Sequence, residues 1–131
     1  MGLFNDLFGK TKNETKIEEK QMPWRPLVSI DQLQEIVDKS NTRAQLIFKH
    51  STTCGISRMV LKTFIANYDY TKDEFDLYFL DLHRNREVSN ETGYKFQIMH
   101  QSPQLLVIRN GVAVAHNSHG GINDIDLAKY L

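Results

Sequence analysis

The chain has 131 residues, 40% of them apolar, and its 16 Lys and Arg balance 16 Asp and Glu. That is one domain with enough apolar side chains to close a core unaided, and zero net charge argues against the basic excess of a dedicated nucleic-acid binder. The single cysteine, Cys54, excludes an intrachain disulfide and a cysteine-based structural zinc site, and no apolar run approaches the roughly 20 residues of a membrane span.

Residues 1–22 read as a flexible leader and linker, and residues 23–131 as the folded domain. Leu3, Phe4, Leu7 and Phe8 allow a short amphipathic turn, but the apolar region is too short for a signal peptide. Gly2 lacks the Ser or Thr at position six that a myristoylation motif needs, because Asp6 stands there. Pro23 and Pro26 then punctuate the start of the domain. Ser29 followed by Gln32 is a capping-box pattern, and Ile30, Leu33, Ile36 and Val37 hold helical spacing up to Ser40-Asn41. Ala44 to His50 is a buried strand. Gly55 to Tyr68 is a helix whose inner face is expected to carry Ile56, Met59, Val60, Phe64 and Ile65.

Phe75 to Asp81 is apolar on both faces, as in a parallel sheet covered by helices. Asn85 to Thr92 is a weak helix ended by Gly93. Gln104 to Arg109 and Val112 to His116 form a hairpin about Asn110-Gly111, a dipeptide suited to positive φ angles. After Gly120-Gly121, Ile122 to Leu131 is expected to close the chain as an amphipathic helix. The order is helix, strand, helix, strand, helix, hairpin, helix. This is an α/β fold with a mixed sheet of about four strands, in which parallel strands need crossover connections.

Cys54 falls between the strand ending at His50 and the helix starting near Gly55. A sulfur at a helix N-terminus meets unpaired backbone N–H groups and the positive end of the helix dipole, and both favour thiolate over thiol. Lys49, His50 and Arg58 lie close in sequence and can add positive potential. Gly55 lets a substrate approach the sulfur. The alternative is a buried structural cysteine, but the polar Ser51-Thr52-Thr53 loop speaks for a reactive one. Ser102-Pro103 precedes the third long strand, where proline belongs at the first residue. A trans bond is the commoner isomer; a cis bond would present the Ser102 backbone to an extended substrate.

Taken together, Phe48-Lys49-His50-Ser51-Thr52-Thr53-Cys54-Gly55-Ile56-Ser57 and His100-Gln101-Ser102-Pro103-Gln104 resemble the monothiol bacilliredoxins, thioredoxin-like proteins of the bacillithiol system. The resemblance implies a thioredoxin-like fold with Cys54 as nucleophile, Ser57 in place of a resolving cysteine, and Pro103 as the cis proline. It implies a substrate surface of Lys49, Thr53, Gly55, Ser102, Gly120 and Gly121, the last two at a glycine turn and helix start suited to a carboxylate. Ser57 is expected to donate a hydrogen bond to the thiolate. The implied activity is removal of bacillithiol from protein mixed disulfides, in the cytoplasm, with no tightly bound cofactor and no metal. Bacillithiol is then the co-substrate, bacillithiolated client proteins and a low-molecular-weight thiol are the partners, and stress response is the setting.

Three other readings fit the residues. A monothiol Cys-Gly-x-Ser pattern also resembles the monothiol glutaredoxins, although Ile56 departs from the Phe usual in that group; this reading would make the chain a [2Fe–2S] carrier. A cysteine hydrolase could use His50, His83, His100, His116 or His119 as base, although no signature of such an enzyme is present. A non-catalytic thioredoxin-like binding module is the third. His116 and His119 have metal-compatible spacing without a third ligand nearby.

Overall fold

The computed structural model describes residues 20–131; the amphipathic turn expected at residues 3–8 lies outside them. The folded part already includes Lys20 and Met22, short of the boundary expected at residue 23. Lys20 Nζ donates to the carbonyls of Ile65 and Tyr68 at 3.0 and 2.5 Å, and Met22 packs against the core.

Five strands make one mixed sheet: β1 (Trp24–Pro26), β2 (Gln45–His50), β3 (Asp76–Asp81), β4 (Gln104–Arg109) and β5 (Val112–Ser118), in the order β1-β3-β2-β4-β5. β1 and β2 run parallel to β3, β4 antiparallel to β2, and β5 antiparallel to β4. The α/β expectation therefore holds, with five strands in place of about four. The extra strand is three residues long and ends in a proline, which a sheet edge tolerates because no ladder donor is needed on its outer side.

All six side chains of β2 are buried. Leu46 and Phe48 face a cluster with Val60 and Phe64 of helix α2 (Gly55–Asn67), whereas Ile47 faces Leu33 and Ile36 of α1 (Asp31–Lys39) and Val88 and Phe96 of α3 (Arg86–Phe96). On the α2 side the rings of Trp24, Phe48 and Phe64 meet with centroids 5.2–6.2 Å apart.

Several local expectations change. The buried face of α2 is Ser57, Val60 and Phe64, while Ile56 and Met59 are exposed, the helix being turned so that a polar residue faces in. α3 runs through Gly93 and stops at Gln97, whose φ is +57°. Gly93 is needed where the chain doubles back: a Cβ there would come within 3.0 Å of the Ile98 carbonyl, which follows the helix closely. At the C-terminus two 3-10 segments, His119–Asp124 and Leu127–Tyr130, replace the amphipathic α-helix. Both Ile122 and Leu127 enter the α2-side cluster. On an α-helix, positions five apart would point about 140° away from each other, so the tighter, broken winding lets both bury.

The capping pattern at Ser29 is half realised. Gln32 Oε1 accepts the N–H groups of Val28 and Ser29 at 2.7 and 3.0 Å, but no side chain caps the helix in return. Asn110 and Gly111 have φ of +53° and +81°, as the hairpin turn requires. Buried Ser40 at the end of α1 fastens that turn: its carbonyl accepts from Asn110 N and Arg109 Nη1, and its hydroxyl from Gly111 N.

Phe48 joins the central strand to both Trp24 and Phe64, so Phe48→Ala should lower the unfolding free energy by about 3–5 kcal/mol. Urea unfolding followed by tryptophan fluorescence measures this, Trp24 being the only tryptophan.

Candidate active site

Parallel pairing of β2 with β3 and antiparallel pairing of β2 with β4 bring three chain segments to one end of the sheet. His50 ends β2 opposite Asp81 of β3, and Lys49 lies opposite Gln104, the residue after Pro103. Ser118, at the end of β5, pairs with Gln104. The Cys54 loop, the loop after β3, the proline turn and the Gly120-Gly121 segment therefore gather at the C-terminal end of the parallel strands.

Cys54 is half-buried at the N-cap of α2. Its backbone is extended, its N–H donates to the Ser51 carbonyl at 3.3 Å, and its carbonyl accepts the first helical bond from Arg58 N at 3.1 Å. The Ser102-Pro103 bond is cis. Pro103 is buried, and its carbonyl accepts His119 N–H at 3.0 Å, tying the proline turn to the segment that carries the two glycines.

Ser57 does not donate to the sulfur. Its hydroxyl is fully buried, accepts Ser51 N–H at 3.1 Å and lies 2.8 Å from His50 Nδ1. With Ser51 N–H as donor, the hydroxyl keeps its own proton and a second lone pair for the contact with Nδ1. Burial, helped by the Arg58 charge, pushes the His50 pKa down, while Asp81 opposes it. Ser57 thus clamps the reactive loop to the end of β2 from below.

A second clamp holds the loop from the side. His83 Nε2 lies 2.8 Å from Ser51 Oγ and 3.2 Å from Thr53 Oγ1, and the two hydroxyls are 3.3 Å apart. The His83 and Arg84 N–H groups both bond Asp81 Oδ1, and Leu82 N–H bonds the His50 carbonyl, which fixes the turn that presents the imidazole. Arg58 reaches back from α2 over the same loop. Its Nη1 is 3.4 Å from the Thr52 carbonyl, and its Nη2 lies 3.8 Å from where a Cβ on Gly55 would be.

Lys49 departs most from the expected substrate surface. Strand alternation turns it to the α1/α3 face, away from α2, and it is 0% exposed, so it cannot touch a substrate. Its ammonium donates to the Ser89 carbonyl at 3.1 Å and to His100 Nδ1 at 3.3 Å. Burial pushes its pKa down to about 8, and His100 is in turn lowered by burial, by Lys49 and by Arg86. Lys49 supports, from inside, the turn that leads to Pro103.

Thr53, Gly55, Ser102, Gly120 and Gly121 do stand at the same end of the sheet, with Thr53, Gly55 and Gly120 exposed. The helix start expected at the glycines is a six-residue 3-10 segment, so it presents no α-helical N-terminus for a carboxylate. Gly121 serves packing: a Cβ there would overlap the Asn117 amide, whose oxygen accepts Ser118 N–H. No histidine is hydrogen-bonded to Cys54 among the described residues. His50, His83 and His100 are engaged with Ser57, with Ser51 and Thr53, and with Lys49. Among the described residues, too, no three His, Cys, Asp or Glu side chains cluster as metal ligands, and no helix is long and apolar enough to cross a membrane.

The fold, with a cysteine at the N-cap of a helix and a cis proline at the same end of the sheet, defines a thioredoxin-fold protein of thiol–disulfide chemistry. A solved structure with a thioredoxin fold is 30% identical, with a TM-score of 0.65 over 82% of this chain and 92% of that one. The thioredoxin of Fasciola hepatica matches with a TM-score of 0.63 at 16% identity, over 82% of this chain and 99% of its own. That of Schistosoma mansoni matches at 0.60 and 15% identity, over 82% and 98%. More narrowly, residues 25–127 match the family model of the monothiol bacilliredoxin BrxC, and the chain belongs to that family.

The buried lysine makes a stability prediction. An unfolded chain keeps this proton to about pH 10, whereas the folded protein releases it near 8. Between those values the unfolded state binds more protons, so stability rises with pH. Chemical denaturation from pH 7 to 10 should show this rise, up to about 3 kcal/mol, in the wild type relative to Lys49→Met. The variant should also be the more stable at pH 7.

Proposed function

We propose that this protein is a monothiol bacilliredoxin in activity as well as in family, acting in the reducing environment of the cytoplasm. The observation that carries the reading is Cys54, half-buried at the start of α2, with a buried hydroxyl at Ser57 where a dithiol protein would carry its resolving sulfur. The chain has no second cysteine.

The Cys54 thiolate attacks the bacillithiol sulfur of a client mixed disulfide. A new S–S bond forms to Cys54, the client's S–S bond breaks, and the client sulfur leaves as a thiolate that takes a proton from water. No internal thiol can expel the bacillithiol. The thiolate of a second small thiol attacks it, Cys54 departs as thiolate, and a low-molecular-weight disulfide carries away the oxidising equivalents. Bacillithiol is a co-substrate here, not a resident group, and no electron acceptor beyond these disulfides is required. Both as nucleophile and as leaving group the sulfur stays at the N-cap of α2. The Ser51-His83 and Ser51-Ser57 bonds hold it still.

Intact-mass spectrometry after mixing the reduced protein with a bacillithiolated client tests this. Transfer of bacillithiol to Cys54, faster than transfer from glutathionylated and cysteinylated clients, is the expected result; no transfer from any donor would reject it. Cys54→Ser should abolish transfer. Ser57→Ala should slow it by less than about tenfold, or about 1.4 kcal/mol. Because that variant strands the buried Ser51 N–H and His50 Nδ1, it should also cost about 1–3 kcal/mol of stability.

A further inference from the structure

The turn from α3 to β4 is tied down by few groups. Among the described residues, the ties that residues 99–102 make elsewhere are two. Gln104 Nε2 donates to the Met99 carbonyl at 3.0 Å, and Lys49 Nζ donates to His100 Nδ1 at 3.3 Å. Lys49 and Gln104 are partners on β2 and β4, so both reach the turn from the same rung of the sheet. Lys49 has a further anchor at the Ser89 carbonyl of α3, 3.1 Å away. The Ser102 hydroxyl is buried without a partner and adds no tie of its own. No step of the exchange uses the buried ammonium.

An ammonium carries donors only, so His100 accepts at Nδ1 and must be neutral for the contact to exist. The pair is intact while it holds one proton, on Lys49. Burial lowers the His100 pKa from 6.5, and Lys49 and Arg86 lower it further, so the imidazole is neutral at pH 7. Lys49 releases its proton near pH 8. Adding a proton sets imidazolium against ammonium, and removing one turns a charge-assisted bond into a neutral one about half as strong. The surroundings do not compensate. The buried residues of α1 on this face are Leu33 and Ile36, and β3 and β4 place Leu80 and Gln104 beside Lys49. Arg86 of α3 is a further cation, and no carboxylate shifts either group.

Resting on the debacillithiolation reading, we propose that Lys49 is a positioning residue for the exchange. The proton it holds against His100 fixes the turn leading to Pro103, at the end of the sheet where Cys54 stands, and so sets how tightly the client's disulfide is held. Being wholly buried, Lys49 touches no substrate. It acts on KM and leaves kcat to Cys54.

The test follows bacillithiol transfer from one client by intact mass, from below the His100 pKa to above that of Lys49, with iodoacetamide alkylation of Cys54 as a separate reading of the thiolate. In the wild type KM should be lowest near neutral pH and rise on both sides. Lys49→Met should raise KM about tenfold at pH 7, leave kcat and the alkylation rate unchanged, and remove both limbs. Urea unfolding separates this from a weakened fold, because an apolar side chain at this buried position gives the more stable protein. His100→Gln, which keeps an acceptor for the ammonium but takes no proton, should remove the acid limb alone and keep KM near the wild-type value at pH 7. An unchanged KM in folded Lys49→Met, or either limb surviving in it, overturns the proposal. Should that variant not fold, His100→Ala removes the acceptor and carries the same expectation at pH 7, where an unchanged KM overturns it equally. A wild type inert toward every mixed disulfide rejects the debacillithiolation reading. Amide hydrogen exchange of residues 99–102 then decides, and equal protection in the wild type and Lys49→Met overturns the positioning role as well.

Discussion

The arrangement hangs on the last two residues of β2. The strand is central and buried on both faces, so alternation must send Lys49 to one side of the sheet and His50 to the other. Neither can reach water by moving alone, because Leu80 and Asp81 flank them on β3 and Gln104 lies opposite Lys49 on β4. Each is therefore answered by a polar group from the element packed over it. His50 meets Ser57 of α2, and Lys49 meets the Ser89 carbonyl of α3 and His100. One face thereby secures the loop that carries Cys54, and the other supports the turn that leads to the cis proline.

This support comes at some cost in stability. A buried ammonium without a carboxylate partner is held by two hydrogen bonds only, and the hydroxyl of Ser89 and the side-chain carbonyl of Gln104 are buried without partners. Groups of that kind are disfavoured relative to a well-packed apolar core. They lie at the end of the sheet where the site is built, whereas at the other end buried Asp76 is satisfied by Arg25, Arg43 and Gln45. Even there the side-chain carbonyl of Gln45 is buried without a partner, so unsatisfied polar groups are found at both ends of the sheet.

Much of this was legible in the residues. Strand β2, the hairpin about Asn110-Gly111 and the reactive loop have strong local signals: a continuous apolar run, a dipeptide suited to positive φ, and a polar loop ahead of a glycine. β1 was hidden by its brevity and its prolines. The C-terminal segment misled because Ile122, Ile125 and Leu127 suggest a helical stripe, whereas packing of residues 122 and 127 on one cluster decides the winding. At the site, alternation from Phe48 onward could have shown that Lys49 and His50 point apart. The roles of His83 and Arg58 could not be read this way, because one arrives from 29 residues beyond Cys54 and the other depends on how α2 is rotated.

That rotation follows from the His50–Ser57 bond. A helix placed by apolar spacing alone would turn Ile56 and Met59 inward; this one turns Ser57 inward to meet the imidazole and the Ser51 amide. The next position, Arg58, is then carried round to where its guanidinium folds back over Thr52 and Gly55, and Ile56 and Met59 are left on the outer surface of α2. One buried hydrogen bond therefore does three things. It withdraws the hydroxyl from Cys54, sets a cation on one flank of the loop, and leaves apolar side chains on the other exposed turn of α2. A cysteine at position 57 would hold His50 less well, since a thiol is a weak donor and acceptor, and would loosen the constraint that presents Arg58. The lack of a resolving sulfur and the charged flank of the site are in this sense one structural choice.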